Sequence, residues 1–452
     1  MPEGRHAHDR QWLVQPNSEA FLVNFLSQAL QESPAAAGLA GQLLEGAGVR
    51  LRDIVDFVQF CSPALTDDLA AAGWSLSPSG HWENRQGLFP PFVPGARTTI
   101  WLRVESLSQF LAARGLQVEI EGDAHGTLRR ARVFSEGPIS FGVVERNGHA
   151  GFDVPVLSDA QIRFARMHSQ SFRARRRQFD AVEDGLRHTE TLVDEAVQDL
   201  GPHWACSLWL SAEREYWLSR CSTGRLQKAR QDALGIGWAN IDHHTYDASR
   251  QHFRHTIRIL EKLGYQLREM LYAGELAGWG SQVLEQPVIG STIFADVDLA
   301  PEELTIDFAH DVLPPLIRHR RAGLLSALLG ESILEAGLNH VAGLFDQRKL
   351  REQLQARQVR LMSPFSDMPH LYQELTDGDW VAVDPRRVDA LEAAGHLSAA
   401  NAEQLRQQGS IGTHLENIER NDGFKGFNRE GIDSVLRKLD PRAYLTTSSM
   451  SA

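Results

Sequence analysis

Two segments of the chain repeat one order of elements. In both, an apolar strand leads into an amphipathic helix, a glycine, and a further strand. The first is WLRVESLSQFLAARGLQVE, ending its helix at Gly115; the second is DHHTYDASRQHFRHTIRILEKLGYQLRE, ending its helix at Gly264. Glycine suits the position after a helix because it accepts a left-handed backbone. Downstream of the first, TLRRARVFSEG and ISFGVVERNG alternate like strands. Downstream of the second, GWGSQVLEQP and STIFADVDL do the same. Each unit therefore reads as βαβββ. The expected fold class is α+β, with two βαβββ modules forming a curved mixed sheet and large helical insertions between them.

The divisions follow from composition. Residues 1–92 read as an N-terminal helical region, with Ser18 as a cap and VRLRDIVDFVQF as a second helix. GWSLSPSGHWENRQG reads as a hairpin, and FPPFVPG as a boundary. The first module is 93–156, a helical insertion is 157–233, and the second module is 234–300. Residues 301–360 read as a helical segment, and 361–452 as a C-terminal segment contributing to the site. The run RARRRQ at 173–178 reads as a solvated helix face neutralised by Glu183 and Asp184.

Charge and motif content exclude several classes. With 46 Lys and Arg against 58 Asp and Glu, the net charge is −12, which disfavours nucleic acid as a partner. No apolar run approaches the ~18 residues of a membrane span, and the polar N-terminus shows no secretory pattern. Three cysteines lie far apart with no CxxC spacing, as expected for a reducing cytoplasm. There is no GxGxxG after a strand, no GxxxxGK[ST], no HExxH and no GxSxG.

Eighteen histidines leave an ample pool of metal ligands. The first candidates are His243 and His244 in IDHHT. On a strand they point to opposite faces, and a metal-bound imidazole needs an acceptor on its other nitrogen. Glu285, in VLEQP beside Gln286, is a carboxylate on an inner strand and needs a cation. GTHLENIER offers His414, Glu416 and Glu419: Glu416 shares a face with Glu419 on a helix, or with His414 on a strand. Two histidines and one carboxylate with open positions suit non-haem Fe(II) and oxygen chemistry. Arg103, between Trp101 and Val104, is a candidate carboxylate clamp.

These pieces resemble the 2-oxoadipate dioxygenase/decarboxylase (hydroxyglutarate synthase) family, elaborated vicinal-oxygen-chelate folds with Fe(II). IDHHT is similar to the family's I-N-H-L-T strand, which implies His243 on the metal. GTHLENIERNDG is similar to its G-T-H-T…G-E-I-E-Q-R-G stretch, which implies Glu419 on the metal. WLRVESLSQFLAARG is similar to its A-I-R-V strand and helix, which implies Arg103 as substrate clamp. The family has a metal histidine four residues before that arginine; this chain has Thr99 there. The third ligand must then come from His244, Glu285 or His414, or metal binding is altered. The broader vicinal-oxygen-chelate superfamily implies His243 with Glu285 instead.

The resulting expectation is a cytoplasmic Fe(II)-dependent oxygenase, with Mn or another divalent metal as the alternative. Its partners would be O2 and a small carboxylate, a 2-oxo acid or amino-acid derivative, bound by Arg103 and Gln286. A homo-oligomer is compatible with the sequence. The competing expectations are a metal-dependent isomerase or lyase of the same fold, and a non-catalytic small-molecule-binding protein.

Overall fold

The computed structural model describes residues 12–135, 137–275, 277–428 and 439–443. Two sheets dominate it. The first contains β1 (Val55–Phe60), β2 (Ser75–Leu76), β3 (Trp82–Glu83), β4 (Phe92–Pro94), β5 (Thr99–Arg103), β6 (Leu128–Phe134) and β7 (Ser140–Arg146). Their spatial order is β2-β3-β4-β1-β5-β7-β6. The second contains β8 (Ile241–Asp247), β9 (Gln266–Tyr272), β10 (Trp279–Gln286), β11 (Ser291–Asp298), β12 (His340–Leu344), β13 (Ser366–Met368), β14 (Leu371–Leu375), β15 (Asp379–Val381) and β16 (Ser410–Arg420). Their order is β13-β14-β16-β12-β8-β11-β10-β9, with β15 beside β16.

The α+β class with mixed sheets holds. The pairing partners differ from the expected ones. In β8–β11 the first and last strands are parallel neighbours around the helix Phe253–Lys262. The strand joined antiparallel to β8 is β12, not a strand of 99–146. β12, with its helix Gln347–Gln355 and its parallel neighbour β16, repeats the same unit. In the first sheet β5 lies parallel to β7, and β1 lies parallel to β4 and antiparallel to β5. Each of the two units legible in the sequence therefore pairs with a second one that its local pattern hides.

The hidden partners were read as helix. VDFVQF alternates too little to show its period, because three consecutive residues, Asp56 to Val58, are buried. Covered on both faces, such a strand reads as a continuous apolar run. QVEIEGD, expected as a strand, makes only an isolated bridge, Glu121 to Arg130. The hairpin between β2 and β3 forms as expected. Ser18 does not cap the first helix, Pro16–Glu32; its hydroxyl donates to the carbonyl of Ala72 at 2.6 Å.

Four helices follow the first sheet, at Asp159–Ala174, Val182–Leu200, Pro202–Arg220 and Ser222–Ala233. They share a core with the second sheet, in which Trp209, Trp217 and Phe253 are buried. The basic run is only in part a solvated face. Arg175 and Arg177 both donate to Glu213 Oε1, at 2.8 and 2.6 Å, and Arg175 and Glu213 are fully buried. Among the described residues no helix is long and apolar enough to cross a membrane.

One helix start brings charge into the second sheet. Arg321–Leu329 begins against Asp298, whose Oδ2 accepts the Arg320 amide at 2.7 Å. A side chain at Gly323 would strike that carboxylate. Burial pushes Asp298 up to about 6 even though the amides of Gly323, Arg320 and Ala322 oppose the shift. Its folded pKa lies above the unfolded value, so its stabilising contribution is full below about pH 4 and is lost as pH rises through 6. Between pH 4 and 7, wild-type stability should fall on the order of 3 kcal/mol relative to Asp298→Asn. Urea midpoints of the two proteins at each pH check this; parallel curves would contradict it.

Candidate metal centre

Three neighbouring strands build the site. The register sets His243 of β8 opposite Ala342 of β12, and Ala342 opposite Glu416 of β16. The small Ala342 side chain leaves space above the middle strand. His340, two residues before it, points to the same face. The three chelating side chains therefore converge. His243 Nε2 lies 3.2 Å from Glu416 Oε2, His340 Nε2 lies 3.1 Å from the same oxygen, and the two Nε2 atoms are 3.4 Å apart. All the candidate ligand atoms fall within 4.8 Å of one another.

That spacing fits a metal. Ligands at roughly 2.1 Å from one ion, in adjacent octahedral positions, sit about 3.0 Å apart. The remaining atoms of each ligand are also held. Asp242 Oδ2 accepts His243 Nδ1 at 2.8 Å, and Arg420 Nε fixes Asp242 Oδ1 at 2.6 Å. Asn339 Oδ1 lies 3.0 Å from His340 Nδ1, and Asn339 is itself tied to Asp247 at 2.7 Å. Gln373 Nε2 donates to Glu416 Oε1 at 2.8 Å, leaving Oε2 toward the imidazoles. An acceptor at Nδ1 puts the lone pair on Nε2, the atom that faces the other ligands.

Electrostatics follow from burial and these partners. Burial alone would lower His243, but Glu416 and Asp242 lift it to about 9. Burial alone would raise Glu416 and Asp242, yet His243 holds Glu416, and Arg420 with His243 holds Asp242, well below the carboxylate range. Burial, with the neighbouring His243, lowers His340 despite Glu416. A cation between these groups would replace the proton that His243 otherwise holds.

A cavity of about 70 Å³ adjoins the three ligands. Phe294 and Phe427 flank His243, with ring centroids 4.7 and 5.6 Å from it. The polar wall includes Ser281, Gln373, Asp296 and Arg321. Arg321 Nη2 lies 2.8 Å from Asp296 and 3.4 Å from Asp247. Burial raises both carboxyls even so.

Of the residues singled out in the sequence, the structure brings only His243 and Glu416 into this cluster. His244 points to the opposite face of β8, 3.4 Å from Arg214 Nη1. Glu419, three residues beyond Glu416, also faces the other side; it accepts Arg50 Nη1 at 3.0 Å and the Gln347 amide at 2.7 Å. Glu285 is on β10, separated from β8 by β11, and pairs with Lys425 at 2.6 Å. Gln286 meets His203 Nδ1 at 2.7 Å and the Leu263 carbonyl. His414 Nδ1 lies 2.9 Å from the Thr376 carbonyl. Arg103 and Thr99 belong to the first sheet, and Arg103 pairs with Asp56 at 2.9 Å. None of these contacts reaches the cluster.

His340 is the member of the cluster that the sequence concealed. It sits in GLNHVAGLF, where Leu338, Val341 and Leu344 imitate a helical stripe. The signals for a strand were Gly337, with φ 72°, and the capped helix that follows at Asp346.

Asp242→Asn should keep the fold while loosening His243. Metal affinity should drop roughly 10–100-fold, the usual cost of losing a partner behind a ligand. Competition with a chromophoric chelator measures it; an unchanged affinity would contradict the role given to Asp242.

No protein-family model matches the chain, and no curated protein sequence matches it. Solved structures with some likeness include hydroxyglutarate synthase in complex with 2-oxoadipate from Oryza sativa. It is 12% identical with a TM-score of 0.33, covering 52% of this chain and 92% of that one. A mutant 4-hydroxymandelate synthase from Streptomyces coelicolor is 11% identical with a TM-score of 0.29, covering 86% of this chain and 98% of that one. The Mn(II)-bound glyoxalase from Novosphingobium aromaticivorans is 10% identical with a TM-score of 0.20, covering 81% and 82%.

Proposed function

We propose that the chain is a non-haem Fe(II)-dependent oxygenase acting on a small 2-oxo acid or amino-acid-derived carboxylate, with decarboxylation. The observation carrying this reading is the buried cluster of His243, His340 and Glu416 on one face of the sheet. Two imidazoles and one carboxylate leave positions open for a chelating substrate and for oxygen. When bound, the ion would polarise the oxo group and serve as a template for O2. Mn(II) is the alternative occupant.

The chain's own residues would do the rest. Asp242 and Arg420 fix the His243 ring, and Gln373 fixes Glu416. Phe294 and Phe427 cover the imidazole with apolar surface and keep water from it. Arg321 and Ser281 are polar groups on the cavity wall available to orient a substrate. Arg103 lies in the other sheet, so it has no part in this reading.

The test is oxygen uptake and CO2 release by Fe(II)-loaded protein across a panel of 2-oxo acids. One acid should give coupled uptake and release. Turnover without oxygen consumption would replace this reading with an isomerase or lyase.

A further inference from the structure

A second polar cavity, of about 150 Å³, lies on the far side of β8 from the metal cluster. Its walls come from three parts of the fold. Arg103 and Arg146 stand at the ends of β5 and β7 in the first sheet; His244 stands on β8 in the second. The helix Pro202–Arg220 supplies Ser207, Ser211 and Arg214. Their spacing of four and three puts them on one helix face.

Arg214 is the anomaly in this cavity. The buried guanidinium groups described above each have a carboxylate: Arg175 has Glu213, Arg420 has Asp242, and Arg321 has Asp296, whereas Arg214 is half-buried. Arg214 has none among the described residues. Its side-chain contact is His244 Nε2 at 3.4 Å, and its Nε is buried without a partner. Burial lowers its pKa, and the field of Glu105 does not offset that. His244 is an imidazole and offers no negative charge.

The other charges do not supply the missing partner. Glu105 and Asp242 line the same cavity, but Lys228 sits 3.0 Å from Glu105, and Arg420 holds Asp242. Arg103 and Arg146 share a single acid, Asp56, at 2.8 and 2.7 Å. Of the three guanidinium groups lining the cavity, two share Asp56, which stands behind them, and the third, Arg214, is in no ion pair with the two acids of the lining. A half-buried guanidinium facing a cavity without an ion partner is open to an anion, and guanidinium forks match carboxylate and phosphate oxygens. The volume is below the ~300 Å³ where sites for drug-sized ligands begin, so the occupant is small.

We propose that this cavity binds a small anion bearing carboxylate or phosphate oxygens, gripped by Arg214, with Arg103 and Arg146 as the second cationic wall. The site is separate from the metal cluster and does not depend on the oxygenase reading.

Calorimetric titration and thermal melts of the full chain test it, with inorganic phosphate and malonate as separate probes. At least one probe should bind saturably and raise the melting temperature, and which one does so separates phosphate from carboxylate recognition. Arg214→Met should weaken that binding at least tenfold, Arg214→Lys less, and Arg103→Gln, at the more exposed rim, less again. Two results would overturn the proposal: no binding of either probe, or binding unchanged in Arg214→Met. Anion binding abolished by Glu416→Ala but not by Arg214→Met would assign the anion to the metal cavity and overturn it as well.

Discussion

Glu416→Ala is expected to lower Fe(II) affinity by more than ~100-fold and to reduce turnover to background, because it removes a ligand rather than a partner behind one. The reason lies in how the two oxygens are used. Oε1 is tied to Gln373, and Oε2 lies 3.2 and 3.1 Å from the two imidazole nitrogens. Without that carboxylate, the two histidines form an open pair with no negative charge to offset a dication. The informative control is Glu419→Ala. Glu419 sits on the same strand but faces Arg50 and the Gln347 amide, so its loss should leave metal affinity within about threefold of wild type. Anaerobic Fe(II) titration of both variants checks the pair. Loss of metal in Glu419→Ala with retention in Glu416→Ala would show that β16 presents the opposite face to the site.

The second large effect concerns stability. Glu213→Ala should cost about 3–5 kcal/mol, the range for removing one partner of a buried ion pair. Glu213 Oε1 serves both Arg175 and Arg177, and Oε2 accepts the Tyr246 hydroxyl at 3.2 Å. Arg175 also donates to the Ile333 carbonyl at 2.7 Å and stacks on Trp209. One carboxylate thus joins the helices before β8, β8 itself and the turn before β12. Removing it leaves two buried guanidinium groups without a counter-charge. Glu213→Gln keeps the shape and some hydrogen bonds, so it should cost less. Urea unfolding of the two variants gives the comparison, and a loss below 1 kcal/mol in Glu213→Ala would contradict the account.

The sequence showed two βαβββ units because their helices and glycines are strongly patterned. It concealed their partners because β1 and β12 are short strands with buried residues on consecutive positions. Such runs carry no period of two. The same blindness governed the site. His243 was legible in the IDHHT strand, while its partner Asp242 was not, because strand alternation sets neighbouring side chains on opposite faces. Glu416 was among the candidates, but choosing between it and Glu419 requires the register of β16 against β12, which no local pattern encodes. His340 was lost with its strand. Thr99, at the place where the resemblance called for a histidine, proved to lie in the other sheet; the cluster on β8, β12 and β16 already has three ligands without it.

The most direct test is metal content, by elemental analysis, of protein purified without added metal or chelator, beside His340→Ala and Glu285→Ala. Near-stoichiometric iron or manganese in wild type, retained in Glu285→Ala and absent in His340→Ala, is the predicted result. Metal retained by His340→Ala, or lost from Glu285→Ala, would contradict the proposed centre.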